Sequence, residues 1–408
     1  MKEIAEKTVA IILAGGKGER LGPLTGHRAK PAVPFAGRYR LIDFVLSNCL
    51  HSGLSRIIVP TQYKSLSLTD HLDEWKHAFS IERGEFLKAV QPQGRTTSDL
   101  EPYVGTADAV YENLYSVFRC RPELDLILAG DHVYKMDYRD LIFYHQKKRA
   151  DSTIGTLETN DLELARRSGV LLVDENLQIV GFEEKPQNPK SIPGKSDTFL
   201  ISMGIYVFNH KVMVEELTID AKNPKSRHDF GKDVIPKMVA DGRKVFAFPF
   251  KGYWMDIGTV DAYYETQMDL VSLLPKFNIY EDKWPWLTFG KQWPPSKYVF
   301  DERIKSSFIC EGCIVDRGEI CNSVISPGVK IGMDAQVINS VIMEGAIIES
   351  GTRIVKAIID KKNIITQGSI IEAGNMKYEG EQKEKTVITP SGIVIVPRRF
   401  NPEEEIET

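Results

Sequence analysis

The chain has 408 residues, 42 % hydrophobic and 26 % charged, with a formal charge of −4; this suits a globular protein with room for two domains and leaves no overall basic footprint for nucleic acid. No apolar run approaches the ~18 residues that span a bilayer, and Met1–Lys7 is polar and too short for a secretory signal. Five scattered cysteines make no disulfide framework, so the protein is expected in the cytoplasm, with neither nucleic acid nor membrane as partner.

Val9–Ala14 is a short apolar run rich in β-branched residues, the pattern of a strand buried on both faces of a parallel sheet. Gly15, Gly16 and Gly18 follow; such a loop lets backbone N–H groups approach a ligand closely. Lys17, Arg20, Arg28 and Lys30 then face a single acid, Glu19, so a polyphosphate is the expected guest. The spacing is not that of a dinucleotide fingerprint, because Leu21 stands where the third glycine is needed. It is not that of a Walker A loop either, because Gly18 follows Lys17 where Ser or Thr is required.

Tyr39–His51 has helical periodicity with Gly53 as its stop, Arg56–Gln62 reads as a strand, Ser65–Phe79 as helix and loop, and Phe86–Pro92 as a strand. In GTADAVYENLYSVF, Thr106 is placed to cap a helix with Asp108 in its first turn, and that N-terminus beside Tyr103 and Gly105 is a further seat for an anion. Leu124–Ala129 is another buried strand, running into Gly130, Asp131 and His132. Ligands of open parallel sheets lie beyond the carboxyl ends of the strands, which makes Asp131 the strongest catalytic candidate.

Asp137–Ala150 is an expected helix and Ser152–Glu158 a strand; Val170–Val173 and Gln178–Phe182 straddle a turn signal at 174–176 and lead into Glu183-Glu184-Lys185-Pro186. Leu200–Asn209 and Lys244–Phe250 read as strands and His228–Gly242 as a helix. GYWMDIGT brings a second carboxylate, Asp256, ahead of an expected helix Asp261–Leu274.

From 275 to 300 prolines and three tryptophans break any regular period, which marks a linker. Beyond it the chain repeats at an offset of 17: Val324, Val341 and Ile358 share a column, as do Ile325, Ile342 and Ile359, then Ile331, Ile348 and Ile365, then Val337, Ile354 and Ile371. Apolar positions six or seven apart within each copy match the hexapeptide coils of a left-handed parallel β-helix, with 306–322 as a weaker first coil. Cys310, Cys313 and Cys321 lack a fourth ligand for zinc and read as small apolar residues of the coils.

GGKGERLGPLTGHRAKPAVPF, continuing into GRYRLIDFVLSNCLHSG, resembles the N-terminal signature of the sugar-1-phosphate nucleotidyltransferases, and most closely its ADP-glucose pyrophosphorylase (glucose-1-phosphate adenylyltransferase) branch. Relatives using other nucleotides share the glycine loop and a Lys-Pro; the run RAKPAVPF…YRLIDFVLSNC is narrower. The resemblance implies an α/β fold: a Rossmann-like nucleotidyltransferase domain with a mostly parallel sheet over 1–274, the linker at 275–300, and a left-handed parallel β-helix over 301–408. It implies transfer of AMP from ATP to glucose 1-phosphate, yielding pyrophosphate and the ADP-glucose used in glycogen synthesis. Mg²⁺ is the implied cofactor, on Asp131 and Asp256. Arg20 and Lys30 are assigned to the triphosphate, Gly15, Gly16, Gly18, Gln62 and Tyr103 to ATP, and Tyr103, Gly169, Glu184, Lys185 and Ser202 to glucose 1-phosphate. A homotetramer under allosteric control by metabolites is implied as well, with His27, Arg28, Arg40, Arg119 and Lys361 as effector residues; His27 replaces a lysine of many bacterial members, and Pro34 a histidine of some. A non-catalytic subunit of this architecture would tend to lose the metal carboxylates, and both are kept. An acyltransferase working on the β-helix would need a histidine there, and none follows His228.

Overall fold

The computed structural model describes residues 2–92, 102–299 and 303–399; positions 301–302 and 400–408 of the expected β-helix region lie outside the described residues. Two compact units are formed. The first takes the chain up to Gly16, Phe44–Ser65 and Thr69–Met255; the second takes Lys17–Asp43, Leu66–Leu68 and the chain from Asp256. The division therefore does not follow chain order, because the basic segment after the glycine loop belongs with the C-terminal region.

In chain order the elements that position the site are β1 (Thr8–Leu13), α1 (Leu41–His51), β2 (Arg56–Pro60), β3 (Phe86–Val90), α2 (Thr106–Tyr111), β4 (Leu124–Ala129), β5 (His132–Tyr134), α3 (Tyr138–Lys148), β6 (Ser152–Thr159), β7 (Gly169–Val173), β8 (Ile179–Glu184), β9 (Phe199–Asn209), α4 (His210–Ala221), β10 (Val245–Pro249), β11 (Trp254–Asp256) and α5 (Val260–Leu270). The main sheet of the first unit runs β8-β7-β9-β4-β1-β2-β3, with β6 and β10 joined through β9. Strands β4, β1, β2 and β3 are parallel, and β9 is antiparallel to β4 and to β6. The apolar runs read from the sequence are buried here: Val9, Ile11, Ile58, Ile127 and Phe208 share one core. The register of β1 on β4 is unbroken from Thr8↔Leu124 to Leu13↔Ala129. The chain therefore leaves toward Gly15 and toward Asp131 at the same edge, the ligand edge of a parallel sheet.

Three expected boundaries move for identifiable reasons. The helix expected from Tyr39 starts at Leu41, because Tyr39–Arg40 pairs antiparallel with Pro34–Phe35 and Asp43 accepts the Arg40 N–H at 2.8 Å. The helix expected from His228 starts two residues later, with a π turn at Phe230–Val234 before Ile235–Ala240, since His228 is held at φ 54° and Asp229 supplies the cap by accepting Lys232 N–H. The helix expected to reach Leu274 stops at Leu270 and is capped at its start by Thr259.

In the second unit three sheets of short parallel strands wind as a β-helix, consistent with the left-handed hexapeptide class. The columns pair as the repeat predicts: Val324↔Val341↔Ile358, Ile331↔Ile348↔Ile365 and Val337↔Ile354↔Ile371. The first coil is weak in sequence because most of it is one residue shorter, Phe308 pairing with Val324 and Val315 with Ile331. Seryl groups carry the ladder at one corner, Ser323 Oγ accepting Ser340 N–H and Ser340 Oγ accepting Ala357 N–H. Burial pushes the thiols of Cys310 up to about 12 and Cys313 up to about 11, so both stay protonated, as small apolar residues do. The linker rests on the coils through Trp293, whose ring covers Gly312 and Gly328, both at positive φ.

Candidate active site

In the first unit the glycine loop is tied to a second segment through one side chain. Gln62 Nε2 donates to the Gly15 carbonyl at 3.0 Å, and Gln62 Oε1 accepts the Tyr103 N–H at 2.6 Å. Asn113 donates to the Tyr103 hydroxyl at 2.8 Å. The two side chains assigned to ATP are thus one connected piece of structure. The expected anion seat at the start of α2 is not there: the Ala107 and Asp108 N–H groups donate to the His228 carbonyl at 2.8 and 3.2 Å. Nor does Thr106 cap the helix. It is the first helical residue, and its hydroxyl donates to Asp229 and accepts the Phe230 N–H.

Asp131 follows β4 directly, its side chain 26 % exposed and one oxygen 3.7 Å from His132 Nε2. The His132 ring stands edge-on to Trp254 at 5.1 Å. On the far side of the sheet, Glu184 closes β8 opposite Gly169 at the start of β7. A Cβ on Gly169 would lie 2.9 Å from Glu184 Oε2 and 2.6 Å from the Phe182 ring, so only glycine leaves this carboxylate its place. Lys185 comes next at φ 51°, an uncommon conformation for a lysine before proline, fixed by its N–H donating to the Ser168 carbonyl at 3.0 Å. Its Nζ lies 3.2 Å from Glu184 Oε1 and its side chain is half exposed. Ser202 is buried on β9 and accepts the Gly204 N–H. Tyr206, buried on the same strand and stacked on Phe230, carries a hydroxyl whose pKa burial raises, with Ser202 bonding to it and Glu184 and Asp229 nearby. The sequence pattern does not single out Tyr206 or Asp229; HDFG is a local signal for Asp229 alone.

In the second unit Gly18 sits at φ 65°, where an added Cβ would lie 3.1 Å from both Thr25 and Lys30. Thr25 pins the turn by donating to the Gly18 and Gly22 carbonyls. Lys30 is buried, its Nζ 3.1 Å from Asp256 Oδ1. Gly258 leaves room for Arg20: a Cβ there would lie 3.2 Å from both Arg20 Nη2 and Asp256 Oδ2. Arg20, Lys30 and Asp256 are therefore brought together within this unit. Nucleotidyl transferases generally use a divalent metal. Asp131 and Asp256, each partly exposed at a strand end, offer oxygen donors of the kind magnesium prefers.

The effector candidates divide. Arg28 is buried, with Nη2 2.8 Å from the buried Asp360 carboxylate and Nη1 against Met343 Sδ. Lys361 Nζ pairs with Glu344 at 2.6 Å. Burial lowers the pKa of Lys361, Glu344 opposes this, and the Arg40 and Arg28 charges add to it. Arg40 donates to the Ser67 carbonyl at 2.6 Å, and His27 is exposed. Arg119 belongs to the first unit, where it lines a cavity of ≈ 350 Å³ with Arg56 and Lys88. Because both Arg28 and Asp360 are buried, Arg28→Met is expected to cost about 3 kcal/mol by leaving the carboxylate unpaired, and Arg28→Met combined with Asp360→Asn to recover part of that loss; urea unfolding of wild type and the two variants measures it.

A family model for nucleotidyl transferase matches residues 9–272, and one for the GlmU-like C-terminal hexapeptide matches 294–396. The chain is 46 % identical over 371 residues to a glucose-1-phosphate adenylyltransferase of Rhodopirellula baltica, covering 87 % of this chain and 82 % of that one. It is 43 % identical to the protein of that name from Thiobacillus denitrificans, covering 98 % and 92 %, and 41 % identical to glucose-1-phosphate adenylyltransferase 2 of Vibrio cholerae, covering 97 % and 98 %. No helix among the described residues is long and apolar enough to cross a membrane. With both matched regions spanning the two folds described above, the chain belongs to the nucleotidyl transferase family, in its glucose-1-phosphate adenylyltransferase group.

Proposed function

We propose that this chain transfers AMP from ATP to glucose 1-phosphate, giving ADP-glucose and pyrophosphate. The observation that carries the reading is the Glu184–Lys185 corner: a carboxylate admitted only by Gly169, beside a lysine in a left-handed backbone conformation. Strain of that kind persists where the surroundings fix it, and here it aims a cation and a carboxylate, the pair that a sugar phosphate needs for its phosphate and its hydroxyls. In the reaction a phosphate oxygen of glucose 1-phosphate bonds to the α-phosphorus of ATP while the bond to the β-phosphate oxygen breaks. Both reactants are anions, so the residues' work is alignment and charge screening. Arg20 and Lys30 serve the triphosphate, the glycine loop with Gln62 and Tyr103 the rest of ATP, and Gly169, Glu184, Lys185, Ser202 and Tyr103 the sugar phosphate. Asp131 and Asp256 would hold Mg²⁺, which would supply charge neutralisation to the reacting phosphates.

Further parts of the proposal are a cytoplasmic homotetramer that supplies glycogen synthesis, and anionic metabolites as effectors. For the effectors, the support is Arg40 and Lys361 beside Glu344 in the second unit and the Arg56, Lys88, Arg119 cavity in the first.

A cation that meets the sugar phosphate in both ground and transition states contributes uniform binding. Lys185→Gln is therefore expected to raise KM for glucose 1-phosphate at least about tenfold, lower kcat far less, and leave KM for ATP nearly unchanged. Initial rates with each substrate varied decide it; a loss confined to kcat, or shared equally with ATP, removes Lys185 from the sugar-phosphate site.

A further inference from the structure

We propose that His228, held by Asp220 and Ser226, is a positioning residue for the nucleotide-side loop Tyr103–Thr106; the inference rests on the assignment of Gln62 and Tyr103 to ATP. His228 Nδ1 lies 2.8 Å from Asp220 Oδ2. The other oxygen of that carboxylate accepts the Ser226 hydroxyl at 2.6 Å, and the same hydroxyl accepts the His228 N–H at 2.9 Å. The three residues close a ring of hydrogen bonds around a carboxylate that is almost fully buried on α4. The ring holds His228 at φ 54°, a conformation that costs a non-glycine residue energy and needs such a reason.

What that conformation achieves is the direction of one carbonyl. His228 O accepts both Ala107 N–H and Asp108 N–H, the first donors of α2. A helix start with its donors filled is fixed in place. Gly105 lies flush against the same strand of chain: a Cβ on it would sit 2.2 Å from His228 O and 2.4 Å from Arg227 O, so the loop before α2 is pressed onto residues 227–228 with no room for a side chain. From there the path is short. Val104 N–H donates to Asp108, Tyr103 N–H donates to Gln62, and Gln62 donates to Gly15 in the glycine loop. The sugar-phosphate corner has a tie of its own, the β7 and β8 pairing that sets Glu184 against Gly169, although Glu184 also approaches Gly231, three residues past His228. Loosening His228 should therefore displace the nucleotide-side residues more than the sugar side, which it reaches through Tyr103, assigned to both substrates, and through Gly231 beside Glu184.

His228→Gly keeps the left-handed backbone accessible and removes only the ring that Asp220 holds. It is expected to raise KM for ATP about tenfold, with a smaller rise, up to about threefold, in KM for glucose 1-phosphate and kcat within about twofold of wild type. His228→Asn, which tolerates the same backbone and keeps a donor for Asp220, should restore most of the loss. Ser226→Ala, a milder change that removes one donor, should shift KM for ATP in the same direction, by about threefold. Melting temperatures of all three are measured alongside. A lowered melting temperature with unchanged KM for ATP would mean the ring is only structural, and equal rises in both KM values would mean it does not act on the nucleotide side; either result overturns the proposal. If wild type prefers another nucleoside triphosphate, the same comparison is made with that nucleotide. A wild-type chain inactive with every nucleoside triphosphate would overturn the functional reading and this inference together.

Discussion

Asp131→Asn is expected to lower kcat roughly a hundredfold or more with a modest change in either KM. Asp131 stands just beyond β4, at the edge where the glycine loop also leaves the sheet, and its carboxylate is open enough to meet a ligand. Asparagine keeps its shape and one oxygen, but on the proposed assignment removes the charge that would hold magnesium as negative charge moves onto the departing pyrophosphate. Ground-state binding should depend less on that charge, because the cations proposed for the substrates, Lys185, Arg20 and Lys30, remain. A second readout separates a metal role from a general disturbance: the magnesium concentration giving half-maximal rate should rise in Asp131→Asn and stay put in Lys185→Gln. Stability should change little, since the group is partly exposed and near the surface. Near-normal turnover of the folded variant at saturating magnesium would remove Asp131 from the mechanism.

Ile348→Asp should have the largest effect on stability, above about 4 kcal/mol, because it places an unpaired carboxylate in a dry column. Ile348 is 1 % exposed and stacks between Ile331 and Ile365. Each coil buries its aliphatic residues only against its neighbours, so a charge there unzips two interfaces at once. The loss should fall within the second unit. Hydrogen exchange should quicken in the coils around 325–371 while β1 and β4 keep their protection, and self-association should weaken. The outward-facing Ile347, one residue away, provides the control: Ile347→Asp should cost far less. Equal costs at 347 and 348 would show that the column register is wrong.

What could be read from the residues was what depends on local pattern. Continuous apolar runs gave β1 and β4 to within a residue, the turn signal at 174–176 gave the β7 and β8 hairpin, and the repeat gave the β-helix register column by column. What could not be read depends on partners far along the chain. Thr106 has the side chain of a cap, but a carboxylate more than a hundred residues later takes its hydroxyl. The N-terminus of α2 has the look of an anion seat, but the His228 carbonyl fills it. The division of the chain at 274–275 follows composition, whereas the contacts draw residues 17–43 to the C-terminal region through pairs such as Lys30–Asp256 and Arg28–Asp360. Arg28 shows the limit of counting charges: in a basic loop it reads as a ligand for anions, and in the fold it is a buried half of an ion pair.

The central claim is the identity of the two substrates, and pyrophosphate release tests it most directly. With glucose 1-phosphate, Mg²⁺ and one of ATP, UTP, dTTP or GTP, wild type should release pyrophosphate with ATP at least about a hundredfold more efficiently than with the others, since a pocket built to hydrogen-bond one base leaves its polar groups unpaired by another. ADP-glucose should form in equal amount. A preference for UTP, dTTP or GTP, or no release with any of the four in the presence of glycolytic metabolites, would contradict the account.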